Sequence, residues 1–327
     1  MQTPRSRPVI LVLLLGVAVF AAAAGLAIWP ETVAPNADPA PPQGGTFVDD
    51  VGRTVTLPAP PRRIVAGTSL AVEMLMALGQ APVLRPDVPA EKVYPEAARA
   101  IPVLPIEHGS GPDLEVLTAA RPDLVILHTN FAAFAPNIEA ALGVPVALLE
   151  VRSVDDVPAK LTLLGRVVGQ EERAEEQAAA VRAEVAAAGR AGQGAGPRVL
   201  AVFGTPEVFF AYRPASYLGS MLDRLGAVNV AAADGAAAGM NAVAPLDLER
   251  VVGRAPEVIV VVPHGPTPAV LAQLAAHPAW ARVPAVRAGR VHVLDEVLFS
   301  SSPGPRVGEA MRTLRRLLDA EPATEAP

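Results

Sequence analysis

A chain of 327 residues, 51% of them hydrophobic, is long enough for two compact lobes and too long for one small module. A formal charge of -6 argues against nucleic acid as a partner, and the absence of cysteine excludes disulfides, thiolate metal sites and a lipid-modified N-terminal Cys. Aromatic residues are few (4%) while Ala, Val, Leu, Pro and Gly dominate, a composition of helices packed on strands with many turns between them.

The chain opens with MQTPRSR, which supplies Arg5 and Arg7, and continues as PVILVLLLGVAVFAAAAGLAIW without a charge. Residues 1–29 therefore read as an export or anchor segment. As a signal peptide it is cleaved within the small-residue run around Ala21 to Ala24. Left intact it reaches the ~20 residues a bilayer span needs, with Arg5 and Arg7 inside and Trp29 at the outer interface. Residues 30–45, PETVAPNADPAPPQGG, form a Pro-rich linker that lifts a folded body off the membrane.

From Thr46 onward β-branched runs alternate with helical patterns, the order of parallel strands joined by helices. RRIVAG (62–67) is a buried strand, and SLAVEMLMALG (69–79) a helix with Ser69 as N-cap and Gly79 as its stop. APVLR, PDLVILH and PVALLEV follow as strands, separated by the helices DLEVLTAAR and FAAFAPNIEAALG. Residues 46–168 thus make an N-terminal α/β lobe. The segment 169–192 is rich in Ala, Glu and Arg with little apolar bulk, a polar rod on the order of 30 Å long that suits a bridge between lobes. Residues 193–320 repeat the plan: RVLAVFG as a strand, SYLGSMLDRLG as a helix, a helix and strand in DLERVVGRAPEVIVVVPH, then RVHVLDEVLF and the helix PRVGEAMRTLRRLL; residues 321–327 are a tail. DLEVLTAARPDLVILH and DLERVVGRAPEVIVVVPH stand 134 positions apart, a duplication of one lobe rather than a solenoid repeat. The fold class is α/β, two similar lobes joined by a single long helix with a ligand cleft between them.

These blocks carry a family resemblance. FVDDVGRTVTLPAPPRRIVAGTSLAVEMLMALG, GPDLEVLTAARPDLVI, SYLGSMLDRLGAVNVAA, DLERVVGRAPEVIVV, HPAWARVPAVRAGRVHVLD and SPGPRVGEA, in order over residues 46–318, resemble the substrate-binding proteins of ABC importers for iron-siderophores, haem and cobalamin. The resemblance implies a monomer outside the cytoplasm that delivers a small-molecule iron chelate to a permease dimer in the membrane. It also implies that Glu115 and Glu249, one on each lobe, face arginines of that permease. The plainer reading of each is a first-turn helix acid favoured by the dipole.

In open α/β sheets ligands gather at the carboxyl ends of the strands, and the loops there hold His108, His128, His264, all three tyrosines and Met240. Haem, as transported ligand rather than resident cofactor, needs an axial donor, apolar walls and basic groups for its propionates. His264 resembles the histidine ligand of haem receptors in Gram-positive uptake systems. Those receptors carry a methionine as second ligand just before the first-lobe Pro-Asn-Leu-Glu, where this chain has HGSGPDLE, so His108 becomes a substitute. Tyr94 is a further candidate, since KVYPEAARAIPVL resembles the Tyr-Pro segment that supplies a tyrosinate in Gram-negative haem-binding relatives. Tyr212, Arg213 and Met240 read as cleft wall, and Arg85 and Arg306 as charge partners. Each of these residues has an ordinary structural alternative, a hydrogen-bonded loop histidine above all.

Ferric siderophore and cobalamin remain as alternative ligands of the same architecture. A zinc or manganese receptor would want about three histidines and a carboxylate around one ion, whereas the five histidines here are scattered. No nucleophile elbow, Walker A loop, H-E-x-x-H helix or dinucleotide fingerprint is present, so no enzyme chemistry is expected. A membrane-tethered scaffold is the bland alternative, set apart by whether the purified protein arrives coloured.

Overall fold

A computed structural model describes residues 45–107, 109–189, 196–233, 242–301 and 304–320, which belong to one compact unit. The apolar N-terminal segment, most of the Pro-rich linker, the tail, His108 and Met240 lie outside the described residues. Among the described residues no helix is long and apolar enough to cross a membrane.

The first lobe begins with an antiparallel hairpin, β1 (Thr46–Val48) and β2 (Thr54–Thr56). β3 (Ile64–Ala66), α1 (Ser69–Ala77), β4 (Arg85–Pro86), β5 (Val103–Leu104), β6 (Ile106–Glu107), β7 (Gly111–Pro112), α2 (Leu114–Ala120), β8 (Leu124–His128), α3 (Ala135–Leu142) and β9 (Val146–Leu149) follow. β3, β8 and β9 form a parallel sheet in that order, and a bridge between Val65 and Leu84 brings the short parallel pair β4 and β5 to its edge. Three details differ from the sequence expectation. Thr68, not Ser69, caps α1, accepting from the Ala71 N–H at 3.0 Å. APVLR contributes only its last residue to a strand, because the chain turns away at Pro86 to meet β5. FAAFAPNIEAALG splits into a 3-10 turn at Thr129–Phe131 and α3, with Pro136 in the first turn of the helix where its missing N–H costs nothing.

Two helices, α4 (Asp156–Val168) and α5 (Glu171–Ala188), lead out of this lobe. α5 spans about 27 Å and is not a free polar rod. It buries Ala174, Ala178, Val181, Val185 and Ala188, a stripe spaced four and three residues apart that packs against α4 and the C-terminal helix α10 (Val307–Asp319). The side chains are small, so the helix axes come close. A Cβ added at Gly165 of α4 would sit 2.2 Å from the Ala174 methyl and 3.1 Å from the Gln170 carbonyl. Gly165→Ala is therefore expected to lower stability by about 1–3 kcal/mol through overpacking, read as a lower urea midpoint at unchanged slope.

The second lobe contains β10 (Arg198–Gly204), β11 (Phe209–Tyr212), α6 (Tyr217–Arg224), β12 (Val228–Asn229), β13 (Val243–Pro245), α7 (Leu248–Arg254), β14 (Val258–Pro263), α8 (Thr267–Ala276), α9 (Pro284–Arg287) and β15 (Val291–Val293) before α10. Its sheet runs β13, β11, β10, β14, β15, with β12 pairing the start of β10. β10, β12, β14 and β15 are parallel, while β11 and β13 are added antiparallel. RVHVLDEVLF is a strand only at its start, the rest entering a turn of π-helix at Val297–Ser301.

The repeated sequence produces the same joint in both lobes. Asp113 and Asp247 cap α2 and α7, and each helix ends on a left-handed non-glycine residue, Arg121 (φ 46°) and Ala255 (φ 45°). A proline follows each, which disfavours helical backbone at the residue before it and releases the chain into the strand. Arg63 then caps the end of α2 through the Ala120 and Arg121 carbonyls, as Arg198 caps α7 through the Arg254 carbonyl. The Asp123 and Glu257 carboxylates accept the backbone N–H groups of Arg63 and Arg198 at 2.9 and 2.8 Å. One hydrophobic cluster, with Leu75, Leu161, Val181, Leu218, Val260 and Met311 among its members, runs through both lobes and the helices between them. A shared core of that kind resists large lobe separation.

Candidate functional site

The carboxyl ends of β3, β8, β10 and β14 converge on a cleft of about 670 Å³, within the ordinary range for a small-molecule site. The first lobe lines it with Thr68 to Leu70, His128, Asn130, Phe131, Glu150 and Arg152, and the second with Phe203, Tyr212, Tyr217, His264, Phe299 and Ser300.

His264 follows the fully buried strand β14, and its backbone N–H is tied to the Gly204 carbonyl at 2.9 Å. The imidazole stands edge-on to Phe203, with ring centroids 4.3 Å apart at 87°. Its Nδ1 lies 3.0 Å from Glu296 Oε1, and its Nε2 lies 3.4 Å from the Ser300 hydroxyl, which in turn accepts from the buried Tyr212 hydroxyl at 3.1 Å. Glu296 also receives Lys92, from the 3-10 turn Ala90–Lys92 of the first lobe. Burial alone would push the Glu296 carboxyl up, but the hydrogen bonds and charges of His264 and Lys92 hold it down at about 2. With the Nδ1 proton donated to the Glu296 carboxylate, the His264 Nε2 is left facing the Ser300 hydroxyl on the cleft lining. Burial pushes the Tyr212 phenol up to about 12, which keeps it a neutral wall and hydrogen-bond donor.

Tyr94 does not line this cleft. It is half exposed beside a small recess shared with Ser69, Pro86 and Val88, and its ring face is covered by the Arg306 guanidinium 3.8 Å from the centroid. Arg306 is itself committed to the buried Glu73 of α1 at 2.9 Å, and Arg85 is buried with its Nη1 on the Pro86 carbonyl. Neither arginine expected as a charge partner is presented to the cleft. Arg152 is the cation that is, paired with Glu150 at 2.9 Å at the rim. Arg213 acts through its backbone, donating to Ala242 and accepting from Ser216, while its side-chain Nε and Nη1 are buried without a partner among the described residues. Glu115 and Glu249 are exposed in the first turns of α2 and α7, Glu249 next to Arg282. His108 and Met240 fall outside the described residues.

Sequence reasoning missed Glu296, Lys92, Ser300 and Phe203. Nothing local marks Lys92 or Glu296, which meet across 204 positions. His128 was legible as a loop histidine. Its Nδ1 accepts from the Asn130 N–H at 3.1 Å, which puts its own proton on Nε2, and burial lowers its pKa. Among the described residues no three His, Asp or Glu come together as a metal-ligand group.

Comparison with known proteins fits this architecture. The chain is 28% identical over 174 residues to a vitamin B12-binding protein of Pectobacterium carotovorum, 52% of this chain and 62% of that protein. The match thus spans less than two thirds of the relative's length. Among solved structures, the apo periplasmic heme-binding protein RhuT of Roseiflexus sp. RS-1 superposes with a TM-score of 0.66 at 26% identity, covering 79% of this chain and 97% of that one. An ABC-type Fe3+-hydroxamate transport system protein of Saccharomonospora viridis superposes with the same score and identity over 84% and 99%. The family model described as periplasmic binding protein matches residues 64–298, and with most of the chain so covered and the two-lobed α/β fold in place, the protein belongs to the periplasmic binding protein family.

Proposed function

We propose that this protein is the extracytoplasmic substrate-binding component of an ABC importer and that its cargo is an iron complex, haem before others. It is a binding protein and not an enzyme. The observation that carries the haem reading is the His264 imidazole, held by Glu296 through Nδ1 and lining an aromatic-walled cleft beside the Ser300 hydroxyl. A histidine that ligates iron commonly gives its other N–H to a carboxylate, which fixes the tautomer and raises the donor strength. The absence, among the described residues, of a group of three or more His, Asp or Glu suits a metal that arrives in its own chelate, not a bare ion. Arg152 at the rim is the cation available to a propionate.

Cobalamin is the second reading, favoured by the relative named for vitamin B12. A ferric hydroxamate siderophore, whose ligand atoms fill the iron's coordination sphere, would leave His264 no bond to make. Titration of the protein with haem, followed by absorbance, tests the first reading directly: a shifted Soret band that saturates at one haem per chain supports it, and free-haem spectra throughout refute it.

Delivery is assigned to Glu115 and Glu249, both exposed at equivalent helix starts and neither among the residues that line the cleft. Glu115→Arg with Glu249→Arg is expected to leave ligand affinity unchanged while cutting ligand uptake by cells that express the cognate permease. Unimpaired uptake by the double variant would remove the docking role.

A further inference from the structure

His264, Glu296 and Lys92 form a three-membered chain that begins in the cleft of the second lobe and ends in the first. The Glu296 carboxylate is 17% exposed and is shared between the His264 Nδ1–H and the Lys92 ammonium, and His264 itself is 28% exposed. At that degree of burial charges are screened less than at the surface. An acceptor neutralised by an ammonium takes a hydrogen bond less strongly than a bare carboxylate. Lys92 therefore subtracts from the pull that Glu296 exerts on the imidazole proton, and so from the electron density at Nε2.

We propose that Lys92 is a positioning residue of the first lobe that sets the donor strength of His264 in the second, acting through Glu296. This rests on the reading of His264 as the axial ligand of haem. Its consequence would be read in the bound iron: without the Lys92 charge, Glu296 would pull harder on Nδ1–H, Nε2 would be a stronger donor and the ferric state would be favoured. With the Lys92 charge in place, as in this structure, the ferrous state would be favoured. The first lobe thus acts on an iron ligand that it does not itself supply.

The same carboxylate explains why Lys92 can act without touching the ligand. Glu296 lies immediately before the π-turn Val297–Ser301, whose Ser300 hydroxyl faces the His264 Nε2 in this structure. The second end of this strap is held to the first lobe as well, by Arg306 on Glu73 and Tyr94. Both ends of the segment that frames His264 are therefore anchored across the cleft.

The test is a spectroelectrochemical titration of the haem-loaded protein in four forms: unaltered, Lys92→Gln, Glu296→Gln and the double variant, at saturating haem. Lys92→Gln is expected to lower the reduction potential and Glu296→Gln to raise it, while Lys92→Arg stays near the unaltered protein. In the Glu296→Gln background the Lys92→Gln shift should become much smaller, because the intermediary is gone. An equal Lys92→Gln shift in both backgrounds would mean direct charge on the haem and overturn the proposal, as would no shift or an upward one. If Lys92→Gln folds poorly, Lys92→Met in the same cycle decides the matter. Failure of the unaltered protein to shift the Soret band sinks the haem reading and this proposal together. A normal Soret band with flat potentials sinks this proposal alone.

Discussion

His264→Ala is expected to weaken haem binding by more than ~100-fold, since loss of a mere outer partner of a metal ligand already costs about 10–100-fold. The physical reason is that the rest of the cleft offers shape and apolar contact but, among the described donors, no equivalent lone pair. The Tyr212 phenol is held neutral by burial, Tyr94 is covered by Arg306 outside the cleft, and the His128 Nδ1 is taken by the Asn130 N–H. The variant should fold, because the backbone bond from His264 to Gly204 that ties it to the sheet survives and Glu296 keeps its Lys92 partner. Absorbance titration of the variant against the unaltered protein reads the loss. Equal affinity in the two would mean that the ring is a packing residue beside Phe203.

The second large effect concerns stability. Glu73 sits inside α1 with its side chain 2% exposed, and its partner Arg306 is 18% exposed. Glu73→Ala leaves a largely buried guanidinium with only the more exposed Glu309 carboxylate, 4.0 Å away, at a cost towards the lower end of about 3–5 kcal/mol. Replacing both partners, as Glu73→Leu with Arg306→Leu, should recover most of the loss, since apolar neighbours of similar volume often substitute for a buried pair. Urea unfolding measures both. A Glu73→Ala variant within about 0.5 kcal/mol of the unaltered protein, the range of an ordinary surface change, would show that the pair is hydrated in solution.

The duplicated lobes were readable in the sequence because their signals are local and periodic. Asp at the cap, a seven-residue amphipathic helix, then Pro before a β-branched run dictates the helix end and the strand start in both copies. The position of His264 was readable for the same reason, as the residue that closes such a run. What surrounds it was not. Lys92 and Glu296 carry no pattern that distinguishes them from other surface charges, and only the docking of the lobes places them on one imidazole. Tyr94 shows the converse: its sequence setting pointed to the cleft, yet a cation 212 positions further on covers its ring. Small residues misled in a third way. The alanines of α5 look too slight to form an interface, but their lack of bulk is what lets α4 and α10 approach.

We propose an iron porphyrin as the cargo and His264 as its ligand. Titrating the protein in parallel with haem and with hydroxocobalamin decides it most directly. Haem is expected to give a saturable Soret shift that His264→Ala abolishes, and the corrinoid no saturable spectral change. A saturable change with the corrinoid and free-haem spectra with haem would contradict it.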